Sequence, residues 1–187
     1  ARTIPPFRAD MVGSLLRSAA VKDAREKHAA GTLDKEQLKA IEDREIAALV
    51  KKQEAVGLQA VTDGEYRRAF WHFDFLENLS GVTGYESDSG IQFKGVTTKA
   101  HGVRVTGKID FPDNHPHLAH FKYLKSVTGR VAKMTIPSPS MLHYRGGRKA
   151  VDPTAYLHMD DYYADLGKAY AKAVKAFYDA GCRYLQL

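Results

Sequence analysis

The alternation of helical segments with short apolar segments is the feature that most constrains the fold of this chain. Over residues 34–56, apolar side chains recur every three or four positions, which is typical of a helix with one buried face. Asp34 and Gln37 can form a capping box at its start, and Gly57 can close its end. Residues 58–62 follow as an apolar run of strand length. The sequence therefore predicts a helix that leads directly into a buried strand.

The same order of elements occurs twice more. The segment "NHPHLAHFKYLKSV", residues 114–127, has helical spacing, and "RVAKMTIPSPS" follows it as a strand that stops at prolines. A long helix then begins at Asp160 or Asp161, ends at Gly181 and leads into "CRYLQL". Its predicted buried face comprises Tyr163, Leu166, Tyr170, Val174 and Phe177. With "PFRADMVGSLL" as a first strand and loop, the chain has four strand units.

These repeats predict an α/β fold, in which helices cover a parallel sheet that is either doubly wound or closed into a barrel. Residues 90–110 do not follow the pattern, because they alternate and are rich in Val, Thr and Gly. We expect an antiparallel β-hairpin there, inserted between the second and third units. No repeat or linker divides the 187 residues into separate domains.

Composition narrows the classes of function. The formal charge of +6 and the pI near 9.3 permit an anionic partner, but Lys and Arg are spread along the chain and no nucleic-acid-binding signature accompanies them. We expect no nucleic-acid partner. The sequence has no apolar run long enough for a membrane span and no signal peptide, so we expect a cytoplasmic protein without membrane contact. Its one cysteine, Cys182, excludes an internal disulfide.

Polar residues follow the predicted strands, where α/β proteins place their chemistry. The amides of Gly13 and Ser14 can receive a carboxylate, although an ordinary turn before a helix has the same sequence. After the second strand, Asp63 and Glu65 precede Arg67 and Arg68. A carboxylate there can hold a substrate ammonium and an arginine can hold a carboxylate, which would suit an amino acid; a loop of mutually paired charges is the alternative.

The loop after the third strand contributes His143 and Tyr144, which can line a pocket. Aromatic residues at positions 71, 73 and 75 are interpreted as packing residues. The histidines at 115, 117 and 120 resemble a metal cluster, but they lie near the amino end of a strand, and we interpret them as structural or exposed.

Four segments in this order, "FRADMVGSLLR", "TDGEYRR", "IPSPSMLHYR" and "AGCRYLQL", are similar to the barrel domain of the cobalamin-independent methionine synthase family in its short, single-barrel form. The resemblance extends from Phe7 to Leu187. It implies a zinc-dependent (β/α)8 TIM barrel that transfers a methyl group from a 5-methyltetrahydrofolate-type donor to the thiol of homocysteine, giving methionine. Coordination to zinc would convert that thiol into a thiolate.

The resemblance also implies roles for individual residues. Gly13 and Ser14 match the backbone amides that receive the homocysteine carboxylate, and Glu65 matches the carboxylate that binds its ammonium. Tyr144 stands where the longer enzymes have a tryptophan beside the pteridine. Met11 stands where relatives carry a histidine. The departure at Tyr144 concerns the specificity for the methyl donor, and the departure at Met11 concerns the specificity for the thiol acceptor.

The family's zinc ligands follow an aspartate expected directly after Leu187, and Cys182 matches none of them. We therefore expect residues 1–187 to be the N-terminal half of one barrel domain, about four of eight strand-helix units, without catalytic residues or metal ligands and inactive alone. The other half would lie in the same or a companion chain. Two alternatives stay open: a related transferase acting on another thiol, such as coenzyme M, against which Glu65 argues, and a non-catalytic binding module.

Overall fold

The computed structural model describes residues 3–86, 92–93, 96–97 and 101–187, and its chain forms two compact units. The first unit comprises residues 1–68, 117–135 and 177–187, and the second comprises 69–116 and 136–176. The helices are α1 (Ala19–Ala29), α2 (Lys35–Ala55), α3 (Phe73–Leu76), α4 (Pro116–Ser126) and α5 (Met159–Asp179). The strands are β1 (Ala60–Val61), β2 (Ser80–Glu86), β3 (Gln92–Phe93), β4 (Val96–Thr97), β5 (His101–Asp110), β6 (Val131–Thr135) and β7 (Tyr184–Gln186).

The first unit is built on a parallel sheet with the strand order β1-β6-β7. Ala60 pairs with Val131, and Lys133 pairs with Tyr184. Neighbouring strands in space are therefore successive units of the predicted helix-then-strand pattern, as expected for an α/β fold. Its core contains apolar side chains of α1, α2, α4 and the sheet, namely Val21, Ile46, Val50, Val61, Phe121, Leu124 and Met134.

The predicted helix over residues 34–56 is confirmed as α2. Asp34 lies at its N-cap and accepts a hydrogen bond from the Gln37 amide, while the Gln37 side chain accepts one from the Asp34 amide, so the predicted capping box forms. The Gly57 backbone has a φ of 88°, the left-handed conformation that favours glycine at a helix end.

The segment predicted as the first strand is not a strand. Residues 7–17 belong to no helix or strand, and their polar backbone groups bond instead to side chains and loops. The Thr62 hydroxyl donates to the Gly13 carbonyl at 2.8 Å, and the Leu15 amide donates to the Gly64 carbonyl at 3.0 Å. The helix that follows, α1, agrees with the alternative interpretation of Gly13 and Ser14 as a turn before a helix; Ser18 caps it by accepting a hydrogen bond from the Val21 amide.

The second unit contains the antiparallel pair β2-β5, in which Val82 lies opposite Val105 and Glu86 opposite His101. The hairpin predicted over residues 90–110 is thus seen in part: β5 lies within that range, and its antiparallel partner β2 begins earlier, at Ser80. Two-residue strands β3 and β4 also pair antiparallel. The rest of residues 87–100 lies outside the described residues.

The buried face of α5 differs from the predicted one. Tyr162, Leu166, Tyr170 and Phe177 are buried, whereas Tyr163 and Val174 are 48% and 44% exposed. The observed face also includes Ala169 and Ala173, small residues that the spacing of the large apolar side chains does not indicate. Of the aromatic residues near α3, Phe73 and Phe75 pack in the core as predicted, but Trp71 is 50% exposed.

Candidate functional site

The loop after β1 has a backbone that few sequences can adopt. Gly64 and Glu65 have φ angles of 66° and 58°, both in the left-handed region, and Glu65 is the one non-glycine residue with a positive φ among the described residues. The Glu65 amide donates to Asp63 Oδ1 at 2.9 Å, and the Gly64 amide donates to Thr62 Oγ1 at 3.1 Å. These local bonds hold the Glu65 backbone in a strained conformation, a property that is common at functional sites.

The Glu65 carboxylate lies buried at the carboxyl ends of β1 and β6. Thr135, the last residue of β6, donates its hydroxyl to Glu65 Oε1 at 3.0 Å. Arg68 Nη1 contacts the same oxygen at 3.4 Å, and Arg68 Nη2 donates to the Thr135 carbonyl at 2.7 Å. Thr135 and Arg68 thus hold the carboxylate at its Oε1 atom.

Gly13 brings its backbone against this carboxylate. A Cβ atom placed on Gly13 would lie 2.8 Å from Thr135 Oγ1 and 3.1 Å from Glu65 Oε1, which is too close for a side chain. The glycine therefore permits the 10–17 segment to lie directly over the Glu65 carboxylate. Arg17, at the end of the same segment, donates hydrogen bonds to the carbonyls of Glu65, at 2.9 Å, and Arg68. These bonds connect the segment to the loop after β1.

A buried lysine supports the segment that leads to Gly13. Lys133, on β6, is 1% exposed, and its ammonium donates to Asp10 Oδ2 at 3.0 Å and to the Met11 carbonyl. It also lies 4.7 Å from the ring centroid of Tyr184, whose hydroxyl donates to Asp10. Burial alone would raise the pKa of Asp10, but the hydrogen bonds from Tyr184 and Lys133 outweigh it and lower that pKa.

The structure brings two of the four predicted site residues together. Gly13 and Glu65 form one cluster with Thr62, Arg68 and Thr135, which we call the Glu65 cluster. Ser14 follows Gly13 and is exposed. Tyr144 belongs to the second unit and is 73% exposed. Its role in binding a ligand stays a prediction.

Sequence reasoning missed Thr135 and Lys133. Both lie on β6, about 70 residues beyond Glu65, and a threonine or lysine within a strand gives no local signal of a site. The hypothesis that a nearby arginine holds a substrate carboxylate is not supported for Arg67, because its guanidinium pairs with Glu42 at 3.2 Å and with Asp43.

The residues around Glu65 do not fit a zinc site. Zinc in proteins takes thiolate, imidazole and carboxylate ligands, usually four of them. The cluster offers one carboxylate beside a hydroxyl and a guanidinium, and no group of three or more His, Cys, Asp or Glu side chains suited to a metal occurs among the described residues. The thiol of Cys182 is buried, and burial raises its pKa, which disfavours the thiolate that zinc binds.

The three histidines of "HPHLAH" are packing residues rather than a metal cluster. His115 is buried in the second unit, where it stacks on Phe111 with ring centroids 4.8 Å apart and bonds the Phe75 carbonyl at 3.1 Å. His117 is buried on α4 in the first unit, and its ring lies 5.4 Å from that of His120.

These features define an α/β protein with a polar cluster at the carboxyl ends of parallel strands, which is where such folds bind their ligands. Comparison with known proteins places it more narrowly. Residues 7–187 match the family model described as the catalytic domain of cobalamin-independent synthase. The chain belongs to the cobalamin-independent methionine synthase family, as its sequence segments predict.

Three relatives illustrate the match. The uncharacterized protein YxjH of Bacillus subtilis is 54% identical over 183 residues, covering 97% of this chain and 48% of YxjH. The crystal structure of a putative vitamin-B12 independent methionine synthase from Listeria monocytogenes superposes with a TM-score of 0.83 at 48% identity, covering 98% of this chain and 52% of that chain. The 5-methyltetrahydropteroyltriglutamate–homocysteine methyltransferase of Mesorhizobium japonicum is 28% identical over 179 residues, which is 92% of this chain and 23% of that enzyme.

The chain thus spans about half the length of YxjH and of the Listeria protein. In the described part of the chain, no helix is both long enough and apolar enough to cross a membrane.

Proposed function

We propose that this chain is the amino-acid-binding half of a methyltransferase that methylates the thiol of homocysteine. The observation that carries the proposal is the Glu65 cluster, a buried carboxylate held by Thr135 and Arg68 directly beneath the Gly13 backbone. Family membership supports the reaction, since the Mesorhizobium relative is named for methyl transfer to homocysteine.

The cluster suits the ammonium group of an amino acid. An ammonium is a compact cation with three donors, and a buried carboxylate oxygen is its strongest neutralising partner. Glu65 is 5% exposed and its Oε1 is already bound, so a ligand ammonium would meet a carboxylate in a fixed position. A ligand without an ammonium, such as coenzyme M, would gain nothing from this carboxylate.

The Gly13 and Ser14 amides are proposed to hold the ligand carboxylate. Because Gly13 lies against Glu65, a carboxylate on its amides and an ammonium on the Glu65 carboxylate would be close neighbours, as they are in an α-amino acid. Lys133 donates to the Met11 carbonyl and Arg17 donates to the carbonyls of Glu65 and Arg68, so both act through backbone groups and are positioning residues.

The identities of the methyl donor and of the metal are also proposals. We expect a folate-type donor, as in the name of the Mesorhizobium relative, with Tyr144 offering an aromatic face, and we expect zinc to be held by residues outside these 187. This chain alone would then transfer no methyl group.

The test is homocysteine binding by the longer protein of which we propose this chain is a part. Glu65→Gln removes the negative charge but keeps the size of the side chain, and we expect homocysteine affinity to fall roughly 10- to 100-fold, the usual value of a charge-assisted hydrogen bond. Isothermal titration calorimetry measures the change. Glu26→Gln, which neutralises an exposed carboxylate on α1, is the matched control and should bind as the unmodified protein does.

Two outcomes would contradict different parts of the proposal. Unchanged homocysteine binding by Glu65→Gln would remove Glu65 from the ammonium site. Tighter binding of coenzyme M than of homocysteine by the unmodified protein would instead show that the acceptor is another thiol.

A further inference from the structure

Within the first unit, a buried cluster of charges connects the loop after β1 to helices α1 and α2. Glu42, on α2, is 6% exposed, and its two carboxylate oxygens accept from Arg25 Nη1 and Arg67 Nη1, each at 3.2 Å. Arg25 Nη1 also donates to the Tyr66 carbonyl at 3.1 Å. Glu42 is therefore linked, through two arginines, to both residues that follow Glu65 in the chain. We call Arg25, Glu42 and Arg67 the Glu42 cluster.

The side chain of Arg67 is held in one orientation. It is 6% exposed, and its Nη2 pairs with Asp43, which also accepts from Lys39 at 2.6 Å. The Arg67 guanidinium lies 5.1 Å from the ring centroid of Tyr123, on α4, whose hydroxyl donates to the Asp43 carbonyl at 2.6 Å. The loop after β1 is therefore tied to α2 by a side chain that is itself fixed.

Burying these charges is costly. Burial raises the pKa of Glu42, and the charges of Arg67 and Arg25 act in the opposite direction. Apolar side chains of similar size often stabilise a packed interface as well as a buried ion pair does. The planar fork of an arginine, in contrast, fixes the direction of the groups that it bonds. The geometry that the Glu42 cluster imposes on the loop therefore explains it better than a gain in stability does.

The Glu65 backbone is the part of the loop that needs such a restraint. Its φ of 58° is unfavourable for a residue other than glycine and persists only where surrounding bonds hold it. Arg17 donates to the carbonyls of Glu65 and Arg68, and the Tyr66 hydroxyl donates to the Leu16 carbonyl at 2.9 Å. The loop is thus held both by the segment before α1 and by the Glu42 cluster. Loss of either set of bonds would let the backbone relax and the carboxylate move.

We propose that Glu42 is a positioning residue of the ammonium site, which holds the loop after β1 through Arg25 and Arg67 so that the Glu65 carboxylate meets the ligand. This inference rests on the proposed function and deepens it, because it adds a residue outside the Glu65 cluster on which recognition of the amino group depends.

The experiment compares two ligands that differ only in the ammonium group, homocysteine and 4-mercaptobutanoate, by calorimetry on the longer protein. Both ligands have the thiol and the carboxylate, so the ratio of their affinities reports on the ammonium site alone. Glu42→Gln removes the charge but keeps the size of the side chain, and we expect it to lower this ratio about 3- to 10-fold, a usual coupling within one network. The affinity for 4-mercaptobutanoate should be nearly unchanged.

A second variant and a matched control accompany Glu42→Gln. Arg25→Gln alters a side chain that is 26% exposed, so it keeps the inference testable if Glu42→Gln does not fold. It removes the bond to the Tyr66 carbonyl and should lower the ratio by a similar factor. Asp34→Ala is the control, because it weakens the same helix at its N-cap without altering the Glu42 cluster. It should leave the ratio unchanged.

Each outcome decides the inference. A lower ratio in Glu42→Gln or Arg25→Gln, with Asp34→Ala unchanged, supports it. Equal losses for both ligands, an unchanged ratio, or the same fall in Asp34→Ala would overturn it, whereas a lower ratio in Glu65→Gln would still support the proposed function. Equal binding of the two ligands by the unmodified protein would contradict the proposed function itself, and this inference with it.

Discussion

At the scale of single residues, Gly13 has no room for a side chain. Gly13→Ala would place a methyl group 2.8 Å from Thr135 Oγ1 and 2.9 Å from Thr135 Cγ2. We expect a loss of about 1–3 kcal/mol in the free energy of unfolding, typical of overpacking, together with weaker homocysteine binding because Thr135 holds Glu65. Urea denaturation measures the first effect.

Gly129→Ala is the control for this prediction. Gly129 has open space around its Cβ position and no left-handed backbone, so the same change there should cost almost nothing. Equal stabilities of the two variants would show that the close approach at Gly13 is unimportant.

Single residues also show how much of the candidate site could be predicted from the sequence. Gly13 and Glu65 were predicted from the resemblance, and the structure places them in contact. Thr135 was not predicted, because its role depends on β6 lying beside β1, which juxtaposes residues 70 positions apart. Lys133 was missed for the same reason, since a lysine within a strand is ordinarily a surface residue.

At the scale of elements, the capping box of α2 contributes measurably to the free energy of unfolding. Asp34→Ala removes the acceptor for the Gln37 amide, bonded at 2.7 Å, and we expect a loss of about 1 kcal/mol in the free energy of unfolding. Asp34→Ser keeps a capping oxygen and should recover most of the loss. If Asp34→Ser were as unstable as Asp34→Ala, the effect would not come from capping.

Hydrophobic periodicity predicted the helices and strands whose apolar residues are regularly spaced. It failed where side-chain hydrogen bonds or small residues determine the structure. α2, α4, α5, β6 and β7 follow helical or apolar patterns and were predicted. The predicted first strand does not form, because the backbone carbonyls of Met11, Gly13 and Leu16 accept hydrogen bonds from side chains, those of Lys133, Thr62 and Tyr66, rather than from a neighbouring strand. The face of α5 was misassigned because Ala169 and Ala173 mark it as strongly as its large residues do.

At the scale of the whole molecule, stability should fall in acid partly because of His72. Burial lowers its pKa to about 4 in the folded state, below the ordinary value of 6.5, so the unfolded chain binds the proton more readily. The contribution of His72 is complete above pH 6.5 and is lost as the pH falls toward 4, by up to about 3 kcal/mol. Trp71, whose ring lies 4.5 Å from His72, reports unfolding by fluorescence.

His72→Gln tests this pH dependence because glutamine does not titrate in that range. The variant should lose less stability between pH 7 and pH 4.5 than the unmodified chain does. His158→Gln, at an exposed histidine, should keep the full dependence. Identical slopes for His72→Gln and the unmodified chain would contradict the assignment.

The order of strands in the parallel sheet also governs when the first unit can form. β1 pairs with β6, and β6 with β7, so each ladder joins segments separated by 50 residues or more, with α4 or α5 between them. Such pairings require large loops to close before any contact compensates for the lost chain entropy. During synthesis, β1 therefore leaves the ribosome with no partner until β6 has emerged. We therefore expect the first unit to fold slowly, because the paired strands of its sheet are distant along the chain.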